Sequence, residues 1–397
     1  MSTIESGASE GLFAVDKLIE TAYATAGVGD PTILDTPGLR ALSYSLECSN
    51  ERVNFIGRNR AQKMLLETLV KHLRVDHHLT QHPEIRDIEF QTPIFLVAPF
   101  RSGTTLLHRL LAQDPAHRTP RLWEALQAPP VETDYQGSSE YFQKDPRIAI
   151  AQKYIKAREL FTPDIAAMHP TSVDAPEECF GLLETSMLSH SFTFYAPVME
   201  YLDWLDQRSN DEWKASYALY ADQLRLLMWW SPAQRWVLKT PFHMWAVDAV
   251  CANFPNALVV QQHREPETCI ASYCSLITAA YGPIGAKLDG QIIGQIALRY
   301  LKDALARNVA ARNQLDSKQF IDIDYKELIS DPIGSVRRVY AAIDQPFTPD
   351  LEQQVKSWME EQSGHRKGNP HKYSLKDYGL DLDEVNEAFA QYRAFCN

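Results

Sequence analysis

The sequence predicts an α/β fold: a P-loop-like parallel sheet flanked by helices, with a helical N-terminal extension and a helical insertion. A short apolar run, Ile94 to Val97, enters a glycine-containing loop that leads into an amphipathic helix. From residue 235 onwards, strand-like apolar runs alternate with helical patterns, which is typical of parallel sheets covered by helices. The stretches 1–90 and 145–230 are mainly helical in pattern.

Length and composition describe an ordinary globular chain. It has 397 residues, of which 45% are hydrophobic and 23% are charged. We expect a helical extension over 1–90 and one α/β domain over 91–397, with the insertion at about 145–230. The net charge of −12 argues against a nucleic-acid partner, which would require an extended basic face.

The cysteines and the apolar segments bear on location. Six cysteines are scattered without a CxxC pair, so neither a zinc site nor a disulfide framework is expected. The first residues have no basic segment followed by an apolar core, so we expect no signal peptide and a cytoplasmic location. The longest uncharged stretch, 268–286, contains Pro283 and predicts a buried helix running into a loop, not a membrane span.

The N-terminal extension predicts three helices. LFAVDKLIETAYATAG ends at a glycine, a second periodic stretch covers about 37–48, and a strongly amphipathic stretch begins at Arg60. We interpret the region as a cap or dimerisation element, so a homodimer is an expectation. The histidines at 72, 77, 78 and 82 lack acidic or cysteine partners at ligand spacing, which favours a solvated helix end over a metal site.

The first candidate for chemistry is the loop after Val97, PFRSGTTLL, residues 99–107. Its free N–H groups and the positive end of the next helix converge on one point, where the Thr104 and Thr105 hydroxyls and the Arg101 cation can join them. The loop is not an ordinary ATP loop, because Thr104 stands where that motif has its lysine. We therefore expect an anion site whose charge comes from Arg101.

Two more cations end strands. Lys239 ends the strand RWVLK, and Arg264 follows the strand ALVVQQH. In parallel sheets the chemistry lies beyond the carboxyl ends of the strands, where Arg101, Lys239 and Arg264 all fall. Ser272 follows Arg264 by eight residues, about two turns into the next helix.

These motifs resemble those of the sulfotransferase family, whose donor is 3′-phosphoadenosine 5′-phosphosulfate (PAPS). PFRSGTTLL is similar to the 5′-phosphosulfate-binding loop. Arg264 and Ser272 are similar to the 3′-phosphate-binding pair, and Lys239 to the lysine that stabilises the leaving oxygen. The likeness is greater to bacterial-type family members, and it covers roughly residues 90–380.

The resemblance implies a donor site without a metal. Its implied members are Arg101, Ser102, Gly103, Thr104, Thr105, Leu106, Arg264, Ser272, Tyr325 near the adenine, and the loop Arg366, Lys367 and Gly368. Sulfuryl transfer to a hydroxyl or amine is the implied reaction. The acceptor stays open between small molecules, lipids and glycans.

Three residues compete as the base that takes the acceptor's proton. Glu124 follows the loop helix at the distance where tyrosylprotein sulfotransferases carry a glutamate. His243 lies four residues after Lys239, two residues later than in the cytosolic enzymes, in what we expect to be the first turn of a helix over 243–253. His108 shares the helix face of Thr104, one turn on. We rank Glu124 first, His243 second and His108 third.

Two other hypotheses remain open from the residues. One is a nucleotide kinase or other phosphotransferase on the same kind of sheet, which magnesium-dependent ATP turnover would favour. The other is a non-catalytic nucleotide-binding protein of the same fold. Tight binding of adenosine 3′,5′-bisphosphate without sulfation of any acceptor would favour the second.

Overall fold

A five-stranded parallel sheet is present in the computed structural model of the chain, which describes residues 3–8, 10–131, 141–286, 288–363 and 374–396. The strands are β1 (Ile94–Val97), β2 (His117–Arg118), β3 (Arg235–Lys239), β4 (Leu258–His263) and β5 (Phe320–Asp324). Their order across the sheet is β2-β3-β1-β4-β5, and every neighbouring pair is parallel. Helices separate the strands along the chain and flank the sheet, which confirms the predicted α/β class.

Contacts along the chain divide it into two compact units. One comprises Met1–Glu89, Pro120–Pro232 and Ile277–Lys287, and the other Phe90–Thr119, Ala233–Leu276 and Leu288–Asn397. The division into a helical extension over 1–90 and one domain over 91–397 stays a prediction.

The second unit contains the sheet. β1 is buried along its whole length, as a strand covered on both faces must be, and this explains its unbroken apolar sequence. Leu96, Leu107, Val260 and Val336 belong to one buried apolar cluster that joins strands to helices. The α-helices of this unit are Thr104–Leu111, Val247–Asn253, Pro266–Tyr281 (which continues into the first unit), Gly290–Arg312, Tyr325–Ser330, Pro332–Ala342, Pro349–Ser363, Leu382–Ala388 and Ala390–Cys396, and its 3-10 helices are Pro241–Ala246, Ser317–Gln319 and Leu375–Tyr378.

Strand register brings the carboxyl ends of the strands to one edge. Leu96 pairs with Lys239 on one side of β1 and with Val260 on the other, and His263 pairs with Asp324 at the end of β4. The segments that follow β1, β3 and β4 therefore begin at the same edge of the sheet. The sequence did not predict β2, since two residues are too few to show a period.

In the described part of the first unit, the regular elements are all helices. The helix Val15–Ala26 ends at Gly27, whose φ of 72° gives the left-handed cap that the sequence predicted. Its α-helices are Thr3–Ser6, Val15–Ala26, Pro37–Cys48, Phe55–Gln81, Leu122–Leu126, Tyr141–Lys144, Pro146–Phe161, Pro163–Met168, Phe180–Leu183, Met199–Leu205 and Asn210–Trp230, and its 3-10 helices are Pro31–Leu34, Pro83–Asp87, Glu184–Ser186 and His190–Phe194.

The histidine-rich end of the helix Phe55–Gln81 differs from expectation. His78 is buried, and its Nε2 lies 2.6 Å from the carbonyl oxygen of Pro130. Burial lowers the pKa of His78 to about 4. The expectation of a solvated helix end is therefore wrong for His78, because its ring is buried and contacts Pro130.

Within the part of the chain that the structure describes, none of the helices has the length and apolar character needed to cross a bilayer.

Candidate functional site

The loop after β1 contains two residues in the left-handed backbone conformation, which few residue types adopt without strain. Gly103 has φ 84°, and a Cβ there would lie 2.9 Å from Leu328 Cδ2 and 3.2 Å from Tyr325 Cδ2. Both the left-handed conformation and this close approach require glycine. Arg101 also has a positive φ, 69°, although it is not glycine. Strain of this kind costs on the order of 1–3 kcal/mol and is concentrated at functional sites.

The helix Thr104–Leu111 begins directly after Gly103. The N–H groups of Thr104 and Thr105 precede the first hydrogen bond of the helix, so they face the loop together with the positive end of the helix dipole. The N–H group of Leu106 donates a bond of 2.9 Å to the carbonyl oxygen of Gly103. Thr104 and Thr105 occupy the first turn, as predicted. Leu106 is half-buried and packs against the apolar cluster of this unit.

Arg264, which follows β4, lies against the loop. Its guanidinium donates a hydrogen bond to the carbonyl oxygen of Arg101, and its Cζ lies 3.8 Å from the ring centroid of Tyr325. Nε of Arg264 is buried and has no hydrogen-bond partner among the residues that the structure describes. A buried guanidinium N–H of this kind suits a phosphate oxygen. Tyr325, predicted near the adenine, lies between Gly103 and Arg264.

Ser102 anchors the loop to the neighbouring strand and helix. Its carbonyl oxygen accepts a hydrogen bond of 3.2 Å from Nε2 of Gln262, and its hydroxyl lies 3.9 Å from Sγ of Cys269. Ser272 is buried one turn beyond Cys269, on the helix Pro266–Tyr281. The side chain of Ser102 is thus directed at protein atoms, so we assign its part in anion binding to the backbone.

Lys239 brings a second cation to the same loop. It is 2% exposed, and its Nζ lies 3.4 Å from Oγ1 of Thr105. Lys239 pairs with Leu96 near the end of β1, and Thr105 lies just after the loop that follows β1. The strand register therefore explains this contact. Lys239, Arg264 and the loop of Arg101 therefore meet at one edge of the sheet, as the sequence predicted.

A charged network beside Arg264 was not foreseen. His263 Nε2 lies 2.6 Å from Asp322 Oδ1, and Asp322 Oδ2 accepts a bond of 2.9 Å from Arg312. Burial lowers the pKa of His263, but the bonds to Asp322 and Cys396 raise it by more, to about 9. The network joins the end of β4 to the middle of β5, and so fixes the strand from which Arg264 projects. The sequence signal is weak, because it consists only of a histidine at the end of β4 and an aspartate within β5.

Both histidine candidates for the base are buried. Nε2 of His108 lies 3.2 Å from the carbonyl oxygen of Val237. His243 is fully buried with its ring centroid 5.1 Å from that of Phe95, and burial lowers its pKa to about 3. The helix expected over 243–253 is present in two parts, a 3-10 helix over Pro241–Ala246 that contains His243 and an α-helix over Val247–Asn253.

Glu124 lies in the first unit, on the short helix Leu122–Leu126. It is 2% exposed, and its Oε2 accepts a 2.9 Å bond from the backbone N–H of Arg121. It lines a small cavity of that unit together with Lys71, Arg147 and Trp230. The carboxylate is therefore held at the start of its helix, beside this cavity.

Lys71 supports the helix that carries Glu124. Its Nζ donates bonds of 2.6 Å to the carbonyl oxygen of Ala125 and 2.7 Å to that of Gly181. Burial lowers the pKa of Lys71 to about 8. Sequence reasoning missed this residue, because a single lysine in an amphipathic helix gives no sign of burial.

Two further predictions concern the loop at 366–368 and metal binding. Arg366, Lys367 and Gly368 lie outside the described residues, so their place in the site stays a prediction. Among residues 3–8, 10–131, 141–286, 288–363 and 374–396, no group of three His, Cys, Asp or Glu side chains is arranged to hold a metal ion.

A parallel sheet with a strand, a phosphate-type loop and a helix at its carboxyl edge defines the class of P-loop-like α/β proteins. Residues 93–349 match the family model described as Sulfotransferase family. The match covers more than half of the chain, and the chain belongs to the sulfotransferase family.

Particular relatives agree with this assignment. The chain is 28% identical over 258 residues to "Omega-hydroxy-beta-dihydromenaquinone-9 sulfotransferase Stf3" of Mycobacterium bovis and of Mycobacterium tuberculosis. The match covers 62% of this chain, and the chain spans 61% of the length of these curated relatives.

Solved structures are similar over nearly the whole chain. Sulfotransferase STF1 from Mycobacterium tuberculosis H37Rv has 31% identity and a TM-score of 0.81, with 98% of this chain and 100% of that chain covered. Sulfotransferase STF9 from Mycobacterium avium has 23% identity and a TM-score of 0.83, with 99% and 97% covered, and shows the common fold.

Proposed function

We propose that the protein transfers a sulfuryl group from PAPS to a hydroxyl group of an apolar lipid. Membership of the sulfotransferase family supports sulfuryl transfer. The observation that carries the donor assignment is the convergence of Lys239, Arg264 and the loop of Arg101 at one edge of the sheet. PAPS has two separated anionic groups, and this edge has separate cations for each.

The loop is assigned to the 5′-phosphosulfate. Backbone N–H groups of residues 102–105 and the hydroxyls of Thr104 and Thr105 would donate to it, helped by the helix dipole and Arg101. Arg264 and Ser272 are assigned to the 3′-phosphate. The buried Nε of Arg264 fits this role, since it is a donor without a partner among the described residues. Tyr325 would contact the adenine, and Arg366, Lys367 and Gly368, which lie outside the described residues, stay predicted members of the 3′-phosphate site.

The chemical step is an in-line displacement. The acceptor oxygen attacks the sulfur of PAPS and forms a new S–O bond, while the bond from sulfur to the bridging oxygen breaks. Adenosine 3′,5′-bisphosphate leaves with the electron pair, and the acceptor's proton passes to the base. Lys239 would stabilise the charge that grows on the leaving oxygen, which is a stronger interaction in the transition state than in the ground state.

Glu124 is our first choice as the base. His243 is the weaker candidate, because burial lowers its pKa to about 3 and makes that imidazole a poor proton acceptor. The bond from Arg121 fixes one carboxylate oxygen of Glu124. His108, whose Nε2 contacts the backbone of β3, is the last choice.

The lipid acceptor is proposed from a relative. The name of Stf3 specifies an omega-hydroxy-beta-dihydromenaquinone-9, an isoprenoid lipid with a hydroxyl group. The chain and Stf3 share 28% identity over the matched segment, so an acceptor of the same chemical class is the first to test.

The test is transfer by the purified full chain. PAPS is incubated with hydroxylated isoprenoid quinones, and products are examined by mass spectrometry for the gain of one sulfuryl group. We expect Glu124→Gln to lower turnover by roughly 10² to 10⁴ with nucleotide binding intact. An active Glu124→Gln with an inactive His243→Ala would pass the role to His243. Binding of adenosine 3′,5′-bisphosphate with no transfer to any acceptor would favour the non-catalytic hypothesis.

A further inference from the structure

The helix that carries Glu124 is too short to fix its own position. Leu122–Leu126 has five residues, which is fewer than two turns. Helices of this length are unstable in isolation, because few backbone hydrogen bonds form for each residue that is ordered. The cavity beside Glu124 also leaves its side chain room to turn. The place of the carboxylate therefore depends on contacts that other segments make with this helix.

The start of this helix is held by a segment that follows it in the chain. The N–H group of Glu177 donates a 2.9 Å bond to the carbonyl oxygen of Pro120, and Arg121 forms an ion pair with Asp174. These contacts fix the residues that precede Glu124. The residues that follow Glu124 are held by a different part of the unit.

One stripe of the long helix Phe55–Gln81 holds the segment 125–130. Lys71, Arg74 and His78 share this stripe, because spacings of three and four residues return to the same side of a helix. Each of them contacts a backbone carbonyl oxygen of the segment. The three contacts join Lys71 Nζ to the oxygen of Ala125 at 2.6 Å, Arg74 Nη1 to that of Pro129 at 3.2 Å, and His78 Nε2 to that of Pro130 at 2.6 Å. We call these three side chains the clamp.

The segment 125–130 needs such partners for its carbonyl groups. Ala125 lies in the last turn of its helix, where a backbone carbonyl has no partner within the helix. Pro129 and Pro130 lack an N–H group, so this run does not extend a regular hydrogen-bonded element. A carbonyl oxygen that is shielded from water and has no donor costs free energy, and the clamp supplies the donors. These contacts therefore fix the path of the chain after Glu124.

Lys71 is the most constrained member of the clamp. It is 2% exposed, and its Nζ also donates a 2.7 Å bond to the carbonyl oxygen of Gly181. A Cβ at Gly181 would lie 2.6 Å from the oxygen of Ala125, so glycine permits the two backbones to approach. Lys71 also interacts electrostatically with Glu184, which is buried in the same unit. A buried ammonium group persists only with partners of this kind.

We propose that the clamp positions Glu124 for its role as the base. Lys71 and Glu124 line the same cavity, and Lys71 bonds the residue next to Glu124. A catalytic group displaced by about 1 Å can lose a hundredfold in rate, because proton transfer requires hydrogen-bond distance. The clamp acts through Glu124 and not through Lys239 or Arg264, which lie in the other unit. The inference rests on the proposed function, because it takes Glu124 as the base.

The first measurement is hydrogen exchange of the full chain, which requires no sulfuryl transfer. Amide exchange in peptides that cover 120–130 is followed by mass spectrometry in the original chain, in Lys71→Met and in Arg74→Met. Each change removes a donor to the segment, so we expect exchange there to become roughly tenfold faster. Unchanged exchange in both variants would show that the clamp does not hold the segment, and would overturn the proposal.

The second measurement is turnover at saturating PAPS. Lys71→Met and Arg74→Met should lower kcat roughly tenfold to a hundredfold, with the affinity for adenosine 3′,5′-bisphosphate unchanged. In a chain that already carries Glu124→Gln, the same changes should lower kcat by less than about twofold more, because no base is left to misplace. A further tenfold fall in that background would show a general structural role and overturn the proposal.

A matched control removes a basic side chain that bonds a backbone carbonyl elsewhere in the same unit. Arg225 Nε donates a 3.1 Å bond to the carbonyl oxygen of Ile88. Arg225→Met should leave turnover, and exchange over 120–130, as in the original chain; equal losses in this control would overturn the assignment. Arg74→Lys keeps a donor in the clamp and should retain most of the turnover that Arg74→Met loses. Arg74 is half-buried, so its variants test the clamp even if Lys71→Met fails to fold.

The outcomes separate this proposal from the proposed function. Full activity of both clamp variants, with Glu124→Gln impaired, would overturn the clamp and leave Glu124 as the base. An active Glu124→Gln would overturn the role of the clamp and leave sulfuryl transfer standing. No transfer by the original chain to any acceptor would overturn both.

Discussion

Replacing Arg264 by Met should remove the preference for nucleotides that carry a 3′-phosphate. In the structure this guanidinium is held over the Tyr325 ring and bonded to the Arg101 carbonyl, while its buried Nε has no partner among the described residues. A charge-assisted bond to a phosphate contributes about 1.5 to 3 kcal/mol, or roughly tenfold to a hundredfold in affinity. We expect that loss for adenosine 3′,5′-bisphosphate.

The comparison nucleotide is adenosine 5′-monophosphate, which lacks the 3′-phosphate. Its affinity should change little in Arg264→Met, so the ratio of the two affinities falls towards one. Arg264→Lys should lie between, since it keeps the charge but loses the planar set of donors. Calorimetric titration of both nucleotides measures the ratio directly.

The control is another arginine of the same neighbourhood. Arg393 donates a 2.7 Å bond to Glu267 on the helix that carries Ser272, so Arg393→Met changes a nearby charge without touching the loop. It should leave both affinities unchanged. Equal weakening of both nucleotides by Arg264→Met would mean that Arg264 only holds the Arg101 loop, and would refute the 3′-phosphate assignment.

Three further predictions concern metal, backbone and pH. Transfer should survive EDTA, because in the proposed function Arg101 and Lys239 would supply the charge that Mg²⁺ supplies in kinases; a strict Mg²⁺ requirement would favour a phosphotransferase. Gly103→Ala should lower the thermal unfolding midpoint by an amount corresponding to about 1 to 2 kcal/mol, because φ is 84° and the new methyl group would meet Leu328 at 2.9 Å; an unchanged midpoint contradicts the loop geometry. The folded-state pKa of His263, about 9, is raised above its ordinary 6.5, so its contribution to stability is complete below pH 6.5 and is lost as pH rises through 9. Denaturant titrations should show up to about 3 kcal/mol lost over that window, and His263→Asn should remove this dependence.

The sequence predicted the parts of the site that depend on local pattern. The apolar run of β1, the glycine of the loop and the helix that follows are consecutive, so one short segment specifies them. Lys239 and Arg264 could be placed at strand ends because parallel strands end at one edge. Their distances to the loop depend on strand register, which no local pattern encodes.

Contacts between distant segments could not be predicted. The stacking of Arg264 on Tyr325 joins residues 61 positions apart, and the bond from His263 to Asp322 spans 59 positions. Burial of His243 involves Phe95 of β1, which is distant in the sequence, so the low pKa of this imidazole could not be predicted from local pattern.

In the proposed function, Lys239 and the loop after β1 act on the sulfuryl group of PAPS. Single-turnover transfer of labelled sulfuryl from PAPS to a hydroxylated isoprenoid quinone tests it most directly, with the original chain and Lys239→Met compared at saturating nucleotide. Removing one donor to a developing negative charge costs roughly 10² to 10³ in rate, so we expect that loss in the transfer step with donor affinity changed far less. Equal transfer rates for the two proteins would show that Lys239 does not stabilise the leaving oxygen in the transfer step.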